Sequence, residues 1–157
     1  MSAVLPEPAS WRAIQLIKAR IEAIRRDAGY YTDIGLGAIV TDRRQLPDSG
    51  SYAVIVAGDF LTTSTGNRTY SEDMNVSIEF GIWLGAGSTV DDAEREAHRA
   101  RVDVIRALHR PLRGEPNGIR VTAAEDSFIT DGPDGSSYLI AQLSARAGLS
   151  ETFPPAN

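Results

Sequence analysis

Met74-Asn75-Val76-Ser77-Ile78-Glu79-Phe80-Gly81-Ile82-Trp83-Leu84 is the stretch that decides the fold. Met74, Val76, Ile78, Phe80, Ile82 and Leu84 alternate with Asn75, Ser77, Glu79, Gly81 and Trp83. Successive strand residues point to opposite faces, so a period of two predicts a strand with one buried face and one wet face. Upstream, Tyr52 to Leu61 centres on Val54-Ile55-Val56 and predicts the partner strand. The polar run Thr62 to Thr69 between them predicts a long hairpin with a mobile tip.

Gly85-Ala86-Gly87 ends the strand and Ser88 or Thr89 caps a helix, with Asp91 and Asp92 at its positive end. Val90, Ala93, Ala97, Ala100, Val104 and Leu108 form the apolar stripe of that helix, and Pro111 and Gly114 close it. Two closing strands are expected at 118–130 and 137–147, joined by the turn Asp131-Gly132-Pro133-Asp134-Gly135. Toward the N-terminus, Ser10 is a candidate N-cap for a first helix. Trp11, Ile14, Ile17, Ile21 and Ile24 make its inner stripe, opposite Arg12, Gln15, Lys18, Glu22 and Arg25. Glu22 and Arg26 are spaced to pair, Arg25 and Arg26 belong to the last turn, and Gly29 is the stop. A first strand is expected at 36–41, then a turn-rich loop at 42–50. The order α-β-β-β-α-β-β predicts one α+β domain, a mostly antiparallel sheet of five strands with both helices on one face. The expected core is 10–147, with extended Pro-containing arms at 1–9 and 148–157.

The chain has 157 residues, a length that supports one core without metal or disulfide help. It has no cysteine, which excludes thiolate metal sites and a cysteine nucleophile. No apolar run approaches the ~20 residues that span a bilayer, and the first residues do not read as a signal peptide. Sixteen basic residues against 21 acidic give a formal charge of −5, with no basic stripe to bind nucleic acid tightly.

The sequence predicts no catalytic residue, no metal and no cofactor. His98 and His109 lie about three helical turns apart, too far to share an ion. Glu94 and His98 read as an exposed helical pair, and Asp91-Asp92 as helix-end charges. Gly85 to Thr89 follows a strand and opens a helix, the setting of a phosphate-binding turn. However, Val90 stands where a third glycine belongs and the P-loop lysine is missing, so a tight turn with a cap is preferred. Aromatic and polar surface positions offer contact sites instead. Trp83 is either an interface anchor or a residue covered by its own chain, and Tyr30-Tyr31 either a hinge plug or a contact. The expected interface set is Tyr30, Tyr31, Asp33, Thr63, Thr65, Asn67, Arg68, Trp83 and Phe153.

An amphipathic helix running into Gly29-Tyr30-Tyr31-Thr32-Asp33-Ile34-Gly35, a strand from Ala38-Ile39-Val40, a polar hairpin, the alternating strand and an alanine-rich helix ending Val104-Ile105-Arg106-Ala107-Leu108 resemble the tail terminator (tail completion) proteins of long-tailed, lambda-like bacteriophages. The resemblance covers residues 10–147. It implies a homo-oligomeric ring, usually a hexamer, at the head-proximal end of the tail tube within the virion. That ring stops tube growth and offers the head-joining surface. Its partners would be itself, the tail tube protein and neck or connector proteins, with assembly in the host cytoplasm. DNA would pass through the lumen without specific binding, helped by an acidic balance. The alternatives are a head–tail neck (stopper) ring protein, a non-viral assembly module and, more remotely, a phosphate- or nucleotide-binding domain using Gly85 to Thr89.

Overall fold

The computed structural model describes residues 5–83, 85, 89–131 and 138–153. It has the predicted order: α1 (Ala9–Glu22), β1 (Ala38–Val40), β2 (Tyr52–Thr65), β3 (Thr69–Trp83), α2 (Val90–Leu108), β4 (Ile119–Asp131) and β5 (Tyr138–Thr152). The five strands form one sheet in the order β1-β2-β3-β5-β4. Among the described residues β1–β2 is the parallel pair, and β2–β3, β3–β5 and β4–β5 are antiparallel. The class is α+β.

The alternation in β3 has its expected consequence. Met74, Val76, Ile78, Phe80 and Ile82 are buried beneath the helices, opposite Ala147, Ala145, Leu143, Ala141 and Leu139 of β5. Small residues on β5 and on the α2 stripe let the helices lie close to the sheet, filling one core with α1 residues Ala13, Ile14, Ile17 and Ile21. Gly81 interrupts the wet face for a steric reason. A Cβ there would lie 2.2 Å from the Tyr52 ring of the neighbouring strand, which stacks edge-on against Tyr138.

Several boundaries differ from the expectation. α1 begins at Ala9 after Pro8, which accepts the Arg12 N–H through its carbonyl, so Ser10 is inside the helix and does not cap it. Trp11 is not in the stripe; it is 47% exposed. The helix stops at Glu22 because Ile24 offers its carbonyl to the distant Gly35 N–H, not to a following turn. Arg25 and Arg26 therefore lie beyond the helix, and Arg26 pairs with Asp33 and Glu96 and not with Glu22. The hairpin is longer than its polar sequence suggested. Thr62 to Thr65 continue β2 and Thr69 opens β3, leaving Gly66–Arg68 as the turn. The expected C-terminal arm begins as strand: β5 runs to Thr152, with Gly148–Thr152 pairing with Thr69–Asp73. The glycine–proline turn between the last strands, and Gly85-Ala86-Gly87-Ser88 apart from Gly85, lie outside the described residues.

Candidate functional site

The stretch Gly29–Gly35 is a structural joint. Asp103 of α2 is fully buried, and its carboxylate accepts three hydrogen bonds from this stretch: Tyr31 N–H at 3.0 Å, Thr32 N–H at 2.8 Å and Thr32 Oγ1 at 2.7 Å. Gly35 packs so tightly on the end of α1 that a Cβ would fall 2.6 Å from the carbonyl oxygens of Glu22 and Ile24. Tyr30 is 8% exposed, with the Arg106 guanidinium 5.0 Å and that of Arg110 5.7 Å from its ring centre. It thus plugs the joint, one of the two roles expected for Tyr30-Tyr31. Tyr31 beside it is exposed, and Asp33 accepts the Arg26 N–H at 2.9 Å.

A second clamp was missed in sequence. Arg20, 6% exposed in the last turn of α1, forms a two-pronged pair with Glu115 at 2.7 and 2.8 Å and donates to the carbonyl of Leu108. It satisfies an orphan carbonyl at the end of α2 and ties the two helices together. The Arg20 guanidinium holds the Glu115 carboxyl below the usual glutamate range. The signal was present: Arg20 and Asp103 are charges at stripe spacing within apolar helix faces, which marks a buried partner.

The imidazoles do not converge. Glu94 and His98 form the expected exposed i,i+4 contact at 3.9 Å, and His109 Nε2 accepts the Ala123 N–H at 3.3 Å. Thr89 caps α2 by accepting the Asp92 N–H at 3.1 Å, so its hydroxyl already has a structural task. Among the described residues no group of three or more metal-binding side chains occurs.

The rest of the interface set divides between the two poles of the sheet. The Phe153 N–H donates to the Arg68 carbonyl at 2.7 Å, and the Arg68 guanidinium Nε donates to the Phe153 carbonyl at 3.1 Å. Thr63, Thr65 and Asn67 are exposed beside them. The N-terminal segment Leu5–Pro8 packs against Glu151–Phe153 at this pole around a cleft of about 220 Å³, and the Ala9 N–H donates to Glu151. Leu5, Pro6 and Pro8 remain exposed where they line this cleft. Trp83 is at the other pole, 42% exposed and resting on Gly85. With β3 running between them, Trp83 and Arg68 are separated by about 45 Å of strand.

The surface feature that sequence reasoning did not single out is the outer edge of β2. β1 pairs only with Tyr52–Val54. From Val56 to Thr65 ten consecutive residues are exposed, including Phe60 at 51% and Leu61 at 67%. Among the described residues no strand covers that edge or the outer edge of β4. Trp11 and Phe60 flank a groove of about 220 Å³ on the helix side of the β2 edge. A wider trough of about 400 Å³ lies between α1 and residues 112–116, with Trp11 and Leu16 on its wall.

No family model matches the chain, and no curated protein matches it. A solved structure whose name is only a sequence identifier is 18% identical, with 90% of this chain and 97% of that one aligned, at a TM-score of 0.39. A likeness that loose carries no argument about task.

Proposed function

We propose that this chain is a structural assembly subunit, the tail terminator ring at the head-proximal end of a long phage tail, and not an enzyme. The observation that carries the self-assembling part is the bare β2 edge. A ten-residue exposed run with Phe60, Leu61 and a single charge, Asp59, is a surface that folded proteins normally cover. The phage-tail part comes from the resemblance through Gly29–Gly35 and the element order, which the α+β sheet with two helices on one face accommodates. In this reading the partners are further copies of the chain, the tail tube protein below and neck proteins above, and the lumen passes DNA without gripping it. The location is the virion tail, after assembly in the host cytoplasm.

Electron microscopy of the purified protein, alone and mixed with tail tubes, tests the reading. Closed rings and caps confined to one end of each tube are expected. A protein that stays monomeric at high concentration and leaves tube ends bare and growing refutes it. Caps found only on isolated head connectors would reassign the ring to the neck.

A further inference from the structure

We propose that the free edge of β2 is covered by the outer edge of β4 from a second copy, so that neighbouring subunits share one continuous sheet. The inference rests on the ring-forming reading and names the surfaces that would build it.

The pairing registers place the two free edges at the same height. Thr62 is level with Glu72, Leu149 and Ile119 across the sheet. Leu61 is level with Asp73, Gly148 and Arg120, and Phe60 with Met74, Ala147 and Val121. Strand direction agrees as well. β2 and β5 run one way and β3 and β4 the other, so β4 of one copy meets β2 of the next antiparallel, as neighbours within the sheet already do. The faces also match: Phe60 and Val121 lie in the same cross-sheet row as core residues Met74 and Ala147, on the helix side. A copy placed by rotation about an axis parallel to the strands, with no slide along it, therefore continues the sheet and keeps every helix on one side. Such a head-to-tail contact closes into a ring, whereas a slide would open it into a helix.

The chemistry of the two edges is complementary. The exposed β2 run has one charge, the acidic Asp59, and no proline or lysine to discourage pairing. The level segment of β4, Ile119–Ala123, has one charge, the basic Arg120. Leu61, exposed on the wet face, meets the aliphatic stem of Arg120, and Phe60 meets Val121. The register shifts between Ala57 and Phe60 and between Thr62 and Ser64 in β2, and after Ala123 in β4, bound the regular contact to Phe60–Thr62 against Ile119–Val121. β1 occupies the Tyr52–Val54 part of the β2 edge, level with Thr130–Phe128 of β4, so the neighbour's strand starts at Thr62 and parts from the β2 edge after Ala123, before it would meet β1.

The absence of native cysteine makes the test clean. Two double variants, Leu61→Cys with Arg120→Cys and Phe60→Cys with Val121→Cys, place thiols level at opposite edges. Within one chain each pair is three strand spacings apart, about 14 Å, beyond the reach of a disulfide. Leu61 and Arg120 are both exposed, so the first pair does not disturb the core. Mild oxidation of either double variant is expected to give a ladder of covalent oligomers on a non-reducing gel, collapsing to monomer on reduction, while each single variant gives none. Rings by microscopy with no ladder from either pair would overturn the β2–β4 contact and leave the ring reading standing. A covalent dimer from Leu61→Cys alone would overturn it in favour of β2 pairing with itself. Monomers without rings or ladder would overturn both.

Discussion

Replacing Asp103 by alanine probes whether the Gly29–Gly35 joint is held as described. Asp103 is 0% exposed and serves three donors, two of them the backbone N–H and hydroxyl of Thr32, itself 2% exposed. The substitution leaves those two Thr32 donors buried without an acceptor, at about 1–3 kcal/mol each. The Tyr31 N–H lies nearer the surface and recovers a water. Relief from burying a carboxylate offsets part of the loss. The expected net cost is roughly 3–4 kcal/mol, read as a fall in Tm of roughly 6–16 °C for a chain of this size. Thr32→Val keeps the shape, removes one bond and should cost about 1 kcal/mol. The double variant should lose less than the sum, because the two side chains share that bond. Denaturant melts at one fixed, low protein concentration give all three numbers without a contribution from assembly. A loss under about 1 kcal/mol for Asp103→Ala, or strict additivity with Thr32→Val, would show that the joint is held by something else.

Gly35→Ala should destabilise more than any surface change, by several kcal/mol, because the methyl group meets three backbone carbonyls that cannot move without unwinding the end of α1; a melt within about 1 kcal/mol of the parent would refute that packing. Burial, helped by the nearby Glu79 carboxylate, pushes the Tyr52 hydroxyl up to about 12. A raised value means that folded protein holds the proton longer than unfolded chain, so this contribution is complete below the ordinary tyrosine range near 10 and is lost as pH rises toward 12. Near-ultraviolet absorbance should show one tyrosine ionising after the others, and Tyr52→Phe should remove that late step; a late step that survives the substitution refutes the assignment.

Most of the scaffold was legible because period-two and helical spacing are properties of neighbouring residues. The alternation at Met74–Ile82 and the alanine stripe of α2 needed no tertiary information. The errors fall where a distant group intervenes. Nothing near Glu22 says that Ile24 will give its carbonyl to Gly35, and so the helix was extended too far. Thr62–Thr65 read as loop because both faces are polar, yet pairing with Tyr70–Glu72 makes them strand. Spacing alone places Trp11 in the core, but the stripe is centred on Ile17 and Ile21 and leaves it at the rim. The interface set rests on residue type, and type does not distinguish the buried Tyr30 from the exposed Tyr31. The bare edge of β2 was invisible for a related reason: which strand lies outermost is a matter of topology.

The unlike poles of the sheet bear on what a ring of these subunits would be. The knot of Arg68, Phe153 and Leu5–Pro8 marks one end of the β3–β5 ladder, and Trp83 with the start of α2 marks the other. Cyclic symmetry about an axis along the strands never exchanges those ends. The assembly would be a washer with a distinguishable top and bottom, wearing tryptophan on one rim and paired chain segments on the other. Two such washers laid rim to rim would have to choose between unlike partners, and a growing tube would meet the same rim every time.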